Sequence, residues 1–521
     1  MQSDRPQYLL AIDNGTQSVR AMVFDQDGEL VAKSKVDIEP YVSPAPGLAE
    51  QDADYFWESL CLACQQLWPQ LEFPREAIKA VSVTTQRATV LPVDARGQPL
   101  QRAITWLDQR SVQSKASLGP LYRLSMTLLG AGSAVDNFHA QAEANWFAQE
   151  CPEVWSRMKK YLLLSGYHTY KLTGNCADAV AGQVGYLPFD FKSQQWAGPK
   201  DWKWRALPLQ PDMLPTLQPA GGILGHITEA ASAITGIPQG LPLIASGSDK
   251  ACEVLGSGCL GAGTASMSYG TTATININTD RYMETTRLHP SYPAVVPGTF
   301  NPEVMIPRGF WMVSWFKNEF GLREQQLARE QGVPPESLFD DLLSAVPPGS
   351  EGLLLQPYWS AGPNSPGAEA RGAMLGFSDV HTRAHIYRAI IEGIAYALRE
   401  GKDVLEKRSG NLIKQIRVSG GGSQSDQVLQ ITADIFGMRV ERPHTFETSG
   451  LGAAIAAAVG VGIYPDFSAA TARMTRTGAS FEPTSSHHKT YDRLYRDVYQ
   501  KMYKRLRPVY RAIQSITGHT S

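Results

Sequence analysis

The sequence predicts an α/β protein made of two related domains, and three stretches predict it. Tyr8 to Phe24 reads as strand, polar turn and strand, with Asp13-Asn14-Gly15-Thr16-Gln17-Ser18 at the turn. Thr264 to Asn278 repeats the pattern around Gly270-Thr271-Thr272. Ile416 to Phe436 reads as strand, three glycines (Gly420, Gly421, Gly422) and helix. A polar turn recurring in both halves of one chain suggests a duplicated domain, each copy offering a loop to the same phosphate chain. The first turn suits that task. Consecutive N–H groups there can form an anion nest. Gly15 allows close approach and positive φ, and Asp13 can hold Mg²⁺ through water. The same residues also fit an ordinary β-hairpin, and Gly-Thr turns are common.

The 521 residues leave room for about two to four domains. Hydrophobic residues at 43% and charged residues at 19% describe a globular chain with sizeable cores. A net charge of −2 gives no footprint for nucleic acid or an anionic membrane. Six sparse cysteines make no disulfide framework, so a reducing cytoplasmic setting is expected. Cys61 and Cys64 form a lone C-x-x-C in a helical stretch, with no second pair or His cluster beside it. Asp4 and Arg5 precede a short strand rather than an apolar helix, so no signal peptide is expected. The longest apolar run, Leu451 to Ile463, is too short and too rich in Gly and Ala to span a membrane.

In chain order, Tyr8 to Ile38 reads as three strands, with Asp27-Gly28 turning the second into the third. Asp54 is placed to cap a helix running to Trp68, with Phe56, Leu60 and Leu67 on its apolar face. Ile78 to Val83 is a β-branched strand ending in Gln86-Arg87-Ala88-Thr89. Ala103 to Trp106 is a short strand ending in Leu107-Asp108-Gln109-Arg110. Ligands in α/β proteins sit at strand ends, so these segments predict a polar pocket with one aromatic wall. Trp106 as core and Asp108–Arg110 as a surface pair is the competing reading. Residues 111–235 read as helices and loops, and Gly240 to Ser246 as a strand running into Asp249. At a helix N-terminus the helix field favours an ionised Asp249, which can then accept a proton from a bound hydroxyl. It would serve equally as a bare N-cap. Residues 280–370 read as irregular, His381 to Lys407 as a long helix, and Tyr491 to Ile516 as a packed, basic, aromatic tail.

Together these elements resemble the FGGY carbohydrate kinases of the actin-like ATPase superfamily, over roughly residues 8 to 485. Asp13-Asn14-Gly15-Thr16 with Arg20 is similar to the family's first phosphate loop, and Gly270-Thr271 to its second. Gln86-Arg87 and Trp106 to Arg110 resemble its sugar-contact segments, with Phe138 aligned to a further contact. Asp249 falls where the family keeps its catalytic base. Tyr170 to Gly174 and Gly376 to Gly393 resemble structural signatures. Gly420, Gly421, Gly422, Ser423 and Ser425 with Gln430, and Glu447 with Leu451 to Ala454, resemble the adenosine side.

The resemblance implies two ribonuclease H-like domains around a central cleft. Residues 1–255 would be mainly sugar-binding and 256–485 mainly ATP-binding, with 486–521 a helical tail. It implies transfer of the γ-phosphoryl group of ATP to a hydroxyl of a small sugar or polyol, with Asp249 as base and Asp13 and Asp249 on Mg²⁺. A homodimer is expected from family habit.

Departures bear on the substrate. Glycerol kinases carry Glu at Ala88 and Tyr at Phe138, and a lost buried polar contact costs about 1–3 kcal/mol. Glycerol is therefore expected to be poor, and pentuloses or pentitols are favoured by Asp108. The pentulose kinases' Met-His pair is absent at Ala88-Thr89. On the nucleotide side, Gln17, Phe310-Trp311 and Ser360-Ala361-Gly362-Pro363 replace smaller or different residues. A non-catalytic sugar- or nucleotide-sensing protein on the same scaffold is the alternative, and an ATPase acting on protein partners is opposed by the polar sugar segments.

Overall fold

The computed structural model describes residues 6–113, 132–286, 289–359, 366–367 and 369–518. Ser360 to Pro363 lies outside the described residues. The chain divides into two compact units. The first gathers residues 1–258, 291–301 and 447–475, and the second 259–290, 302–446 and 476–521.

Each unit is built on a six-stranded sheet. In the first, β1 (Tyr8–Asn14), β2 (Ser18–Asp25), β3 (Leu30–Asp37), β4 (Ile78–Thr85), β5 (Ile223–His226) and β6 (Pro242–Ile244) lie in the order β3-β2-β1-β4-β6-β5. In the second, β7 (Thr264–Tyr269), β8 (Ala273–Ile277), β9 (Glu303–Ile306), β10 (Gln415–Ser419), β11 (Val440–Pro443) and β12 (Thr477–Phe481) lie in the order β9-β8-β7-β10-β11-β12. Read across either sheet from its β3 or β9 edge, the pairings run antiparallel, antiparallel, parallel, parallel, antiparallel. The duplication expected from two similar turns is thus a duplication of topology.

The strands follow their sequence. β1 is central, so Leu9, Leu10, Ala11 and Ile12 are all fully buried and its apolar run is continuous. β3 is an edge and alternates, with Lys33 and Lys35 on its outer face. Gly28 makes the β2–β3 turn at φ 79°, where a Cβ would lie 2.1 Å from the Met474 carbonyl oxygen.

Several elements differ from expectation. The first helix spans Ala53–Leu67 and is capped by Asp52 rather than Asp54. Asp54 instead accepts the Tyr167 hydroxyl at 2.7 Å. Cys61 and Cys64 are buried in that helix, and burial pushes the Cys61 thiol up to about 12. They are packing residues. Residues 280–370, read as irregular, hold helices Trp311–Phe320, Leu322–Gln331 and Asp340–Ser344. Their proline- and aromatic-rich flanks hid a helical spacing that buries Met312, Val313 and Phe316. The long helix runs Arg383–Ser409, from a Thr382–His385 capping box to Gly410 at φ 73°. The tail is packed as expected: Tyr491, Tyr495 and Tyr499 are buried beside Tyr396. Among the described residues no helix is long and apolar enough to cross a membrane.

Candidate active site

In the first unit the site starts at the end of β1. Register pairs Asp13 with Arg20 across β1 and β2, and Arg20 Nη2 lies 2.9 Å from Asp13 Oδ2. Arg20 Nη1 reaches Glu447 Oε2 at 2.6 Å, and Lys33 Nζ reaches Glu447 Oε1 at 2.9 Å. Asp13 Oδ1 and Arg20 Nε are buried with no hydrogen-bond partner. Burial raises the Asp13 carboxyl to about 6; Arg20 opposes this, and Asp249 and Glu447 add to it. Glu447, aligned by resemblance to the adenosine side, is therefore an ion-pair partner of Arg20, on the β1–β2 hairpin that carries Asp13. The helix it precedes, Thr448–Gly460, belongs to the first unit with the Asp249 helix. Sequence reading missed this because only chain crossover brings residues 427 apart together.

Gly15 is not in the left-handed region, and a Cβ there would meet nothing closer than 3.6 Å. The fold does not demand glycine there. Asn14 fixes the turn. His168 Nε2 and Asn14 Oδ1 are 2.8 Å apart, and the Gln86 N–H donates to the Asn14 carbonyl at 2.9 Å. Burial lowers His168 to about 3, so it stays neutral and donates through Nε2.

The predicted acceptor segments converge on this turn. Trp106 is 37% exposed, and its Nε1 donates to Thr16 Oγ1 at 3.0 Å, so it is a surface group rather than core. Gln86 is 3% exposed, yet both ends of its amide lack a partner. The Arg87 guanidinium lies 5.4 Å from the Tyr292 ring centroid. Ala88 is held at φ 51°, with its Cβ 3.7 Å from where Gly185 would carry one. Strained backbone of this kind clusters at functional sites. Asp108 is fully occupied: its oxygens accept from Arg110 Nε, Nη2 and backbone N–H and from the Ala49 N–H. It is a buried pair rather than the surface pair considered. Arg110 also reaches Glu50 at 2.7 Å and stacks 4.2 Å from the Trp146 centroid. Phe138 meets Tyr186 and Trp202 edge-on at 5.6 and 5.0 Å.

Asp249 is the first residue of helix Asp249–Gly256, whose cap is Ser248. It is therefore not a bare N-cap. Its Oδ1 accepts the Lys250 N–H at 2.7 Å. The helix field was expected to favour its ionised form, but burial dominates and raises its pKa, with Arg87 and Lys250 opposing.

In the second unit the carbonyls of Gly270 and Thr271 accept from Phe310 N–H and Trp311 N–H at 3.2 and 3.3 Å. Neither Gly270 nor Gly421 needs to be glycine for the fold: a Cβ meets nothing under 3.4 Å at the first and nothing within 4 Å at the second. Gly420, at φ 80°, and Gly422 are required, since a Cβ would come within 2.9 Å of the Tyr269 backbone and 2.4 Å of the Phe310 ring. Ser425 caps helix Asp426–Phe436 and donates to Asp340 Oδ1 at 2.5 Å. Gln430 is engaged by Asp434 and the Glu482 carbonyl.

A model of the FGGY family's N-terminal domain matches residues 8–256 and one of its C-terminal domain residues 265–461. The chain belongs to the FGGY family of carbohydrate kinases and is a phosphotransferase acting on a hydroxyl group. The "Uncharacterized sugar kinase YgcE" of Escherichia coli (strain K12) is 32% identical to it, over 95% of this chain and 93% of the other. A xylulose kinase of Lactococcus lactis subsp. lactis (strain IL1403) is 28% identical over 95% and 96%. A glycerol kinase of Rhodospirillum rubrum is 30% identical over 88% and 91%. A xylulose kinase structure from Rhodospirillum rubrum superposes with a TM-score of 0.78 at 24% identity, over 97% and 100% of the chains. The likeness is one of fold, the two-domain actin-like ATPase architecture.

Proposed function

We propose that this kinase transfers the γ-phosphoryl group of ATP to a hydroxyl of a small sugar or polyol, with pentuloses and pentitols favoured and glycerol disfavoured. The observation that carries the reading is the buried Asp13 carboxyl, raised by its burial and further by the charge of Asp249, with one oxygen left without a partner. Mg²⁺ needs only one or two carboxylates and completes its shell with water and phosphate oxygens, so this donor set fits it. When bound, the cation supplies charge neutralisation for the phosphates.

Asp249 orients the acceptor hydroxyl and takes its proton, while Arg87 stabilises the charge on Asp249. The unpartnered Gln86 amide offers the acceptor one donor and one acceptor. Trp106, Phe138 and the ring of Tyr186 supply apolar walls. Asp108 acts through Arg110 by fixing the segment after Trp106. In the first unit Gly15, Thr16 and Arg20 are the groups suited to phosphate oxygens; in the second, taken by itself, Gly270, Thr271 and the N–H groups of Gly420 to Gly422 are, and Ser425 holds the start of the helix after the triplet. Residues 1–255 serve mainly the acceptor and 256–485 mainly ATP, with 486–521 a helical tail, in a cytoplasmic homodimer. Ala88 cannot accept, and Phe138 cannot donate, the hydroxyl contacts aligned there in glycerol kinases.

The test is ADP release from ATP-Mg²⁺ across pentuloses, pentitols, tetritols, hexoses and glycerol. One strong pentulose or pentitol is expected, and glycerol as the best acceptor overturns the substrate assignment. The sensing alternative is favoured only by Phe310, whose ring fills the space over Gly422. Tight nucleotide binding by calorimetry, with no turnover on any acceptor, would select it.

A further inference from the structure

One charged group near the acceptor segments has no assigned task. Glu143 opens the helix Glu143–Glu150 and is half-buried. Among the described residues its carboxylate accepts its own backbone N–H and makes no hydrogen bond or ion pair with another side chain. Trp146 lies one turn on, on the same helix face, and carries the Arg110 guanidinium at 4.2 Å. Phe138, at the end of the preceding helix, touches Tyr186, whose neighbour Gly185 packs on Ala88. These contacts link Gln86–Ala88, Tyr186, Phe138, Glu143 and Asp108–Arg110 into one wall.

Two further observations point to a ligand. The Tyr161 hydroxyl, on a residue 1% exposed, has no partner, and the Glu143 charge acts on it and on Tyr186. Gln86, at the other end of the wall, is likewise unpartnered. The charge balance is one-sided. Arg87 faces Asp249, and Arg110 faces both Asp108 and Glu50. Glu143 adds a third carboxylate around the single Arg110 cation: burial raises its carboxyl to about 7, its own N–H and Arg110 oppose this, and Asp108 adds to it.

We propose that Glu143 contacts the acceptor and makes this site select uncharged polyols and ketoses over sugar acids. Its carboxylate accepts hydrogen bonds from hydroxyls remote from the reacting one. The same carboxylate repels an aldonate, for which the described residues of the wall hold no spare cation. A helix N-terminus alone explains an acidic first-turn residue; it does not explain a buried, unpartnered tyrosine hydroxyl beside it.

This inference rests on the kinase reading above, and the experiment separates the two. ADP release at saturating ATP-Mg²⁺ is measured with matched pairs, such as xylitol and xylonate or ribitol and ribonate, for wild type, Glu143→Gln and Glu143→Asp. Thermal melts check folding. For wild type, the neutral partner of each pair is expected to win. Glu143→Gln is expected to raise KM for the neutral acceptor about tenfold, leave KM for ATP unchanged and narrow the gap to the aldonate, since removing a repulsive element relaxes specificity. Glu143→Asp should recover part of the neutral preference. An aldonate as the best wild-type acceptor, or an unchanged acceptor KM in Glu143→Gln, overturns the role of Glu143 and leaves the kinase intact. No ADP release with any acceptor, despite bound ATP, overturns the kinase reading and the proposal with it.

Discussion

The two sheets have the same strand order and pairing signs, yet they treat polar groups differently. At the strand ends of the first unit, Asp13 Oδ1, both ends of the Gln86 amide and Thr89 Oγ1 are buried without partners. At the matching loops of the second unit, Ser425, Gln430 and the Gly270–Thr271 carbonyls are engaged by protein groups. The second unit's unpartnered buried side-chain groups, among the described residues, are Tyr396 and Tyr499 hydroxyls in the aromatic core under the tail. A duplicated fold therefore carries an unduplicated chemistry. An unmade buried hydrogen bond costs about 1–3 kcal/mol, so a cluster of such groups at the strand ends of one unit is a cost that the other unit's loops avoid. On the proposed reading the first unit would offer side chains to a ligand, and the second mainly backbone.

The sharpest way to break that contrast is Asp249→Asn. If the first unit supplies the reacting groups, kcat falls by about 10²–10⁴-fold, in line with loss of a general base, while acceptor KM changes little. Steady-state kinetics on the best acceptor decides it, and unchanged kcat removes Asp249 from the role. No equally large effect is expected from any side chain of the second unit's loops.

Next in size is a stability effect with a defined sign. The Asp13 carboxyl is raised from 3.8 to about 6 by burial. Its folded pKa exceeds its unfolded value, so the folded state binds the extra proton. Stability from this group is present below pH 4 and is lost as pH rises towards 6. Asp13→Asn removes the buried charge and is expected to stabilise the ligand-free protein at pH 7.5 by about 1–3 kcal/mol, with little change at pH 4. Denaturant melts at the two pH values measure the difference. Equal midpoints for wild type and variant at pH 7.5 would show that Arg20 compensates the charge completely. The variant should be more stable and nearly inactive, a stability–activity trade-off.

How much of this was legible depends on range. β1, β2 and their turn are written in a local apolar run and a polar hexapeptide, and the second copy is written the same way. The family followed from the order of such motifs. The partners of Asp13 were half legible: Arg20 is a hairpin neighbour, but Glu447 arrives through a helix that crosses back into the first unit. Asp108 was read as a ligand because its strand end faces the right way; that its oxygens are filled by Arg110 and Ala49 depends on three-dimensional packing. Asp249 is legible from its place at a helix start and from the family resemblance, but the helix field gives the wrong sign for its pKa, because the larger, opposing cost of burial needs the folded state. The helices of 311–344 were hidden because aromatic and proline content masks a helical period.

The smallest predictions separate the glycines of the second unit. Gly422→Ala drives a methyl group to 2.4 Å from the Phe310 ring. Phe310 is held by its backbone bond to the Gly270 carbonyl and by its contact with Tyr269 at 5.2 Å, so relief is limited. Overpacking of this kind costs about 1–3 kcal/mol, visible as a lower melting temperature. Gly421→Ala adds a methyl group into open space and should leave the melt within about 0.5 kcal/mol of wild type. If the backbone there meets a nucleotide, the same methyl group raises KM for ATP several-fold while acceptor KM stays put. Unaltered ATP kinetics in Gly421→Ala would mean that the triplet serves only the Phe310 packing, and the nucleotide would then have to be met through Gly270 and Thr271.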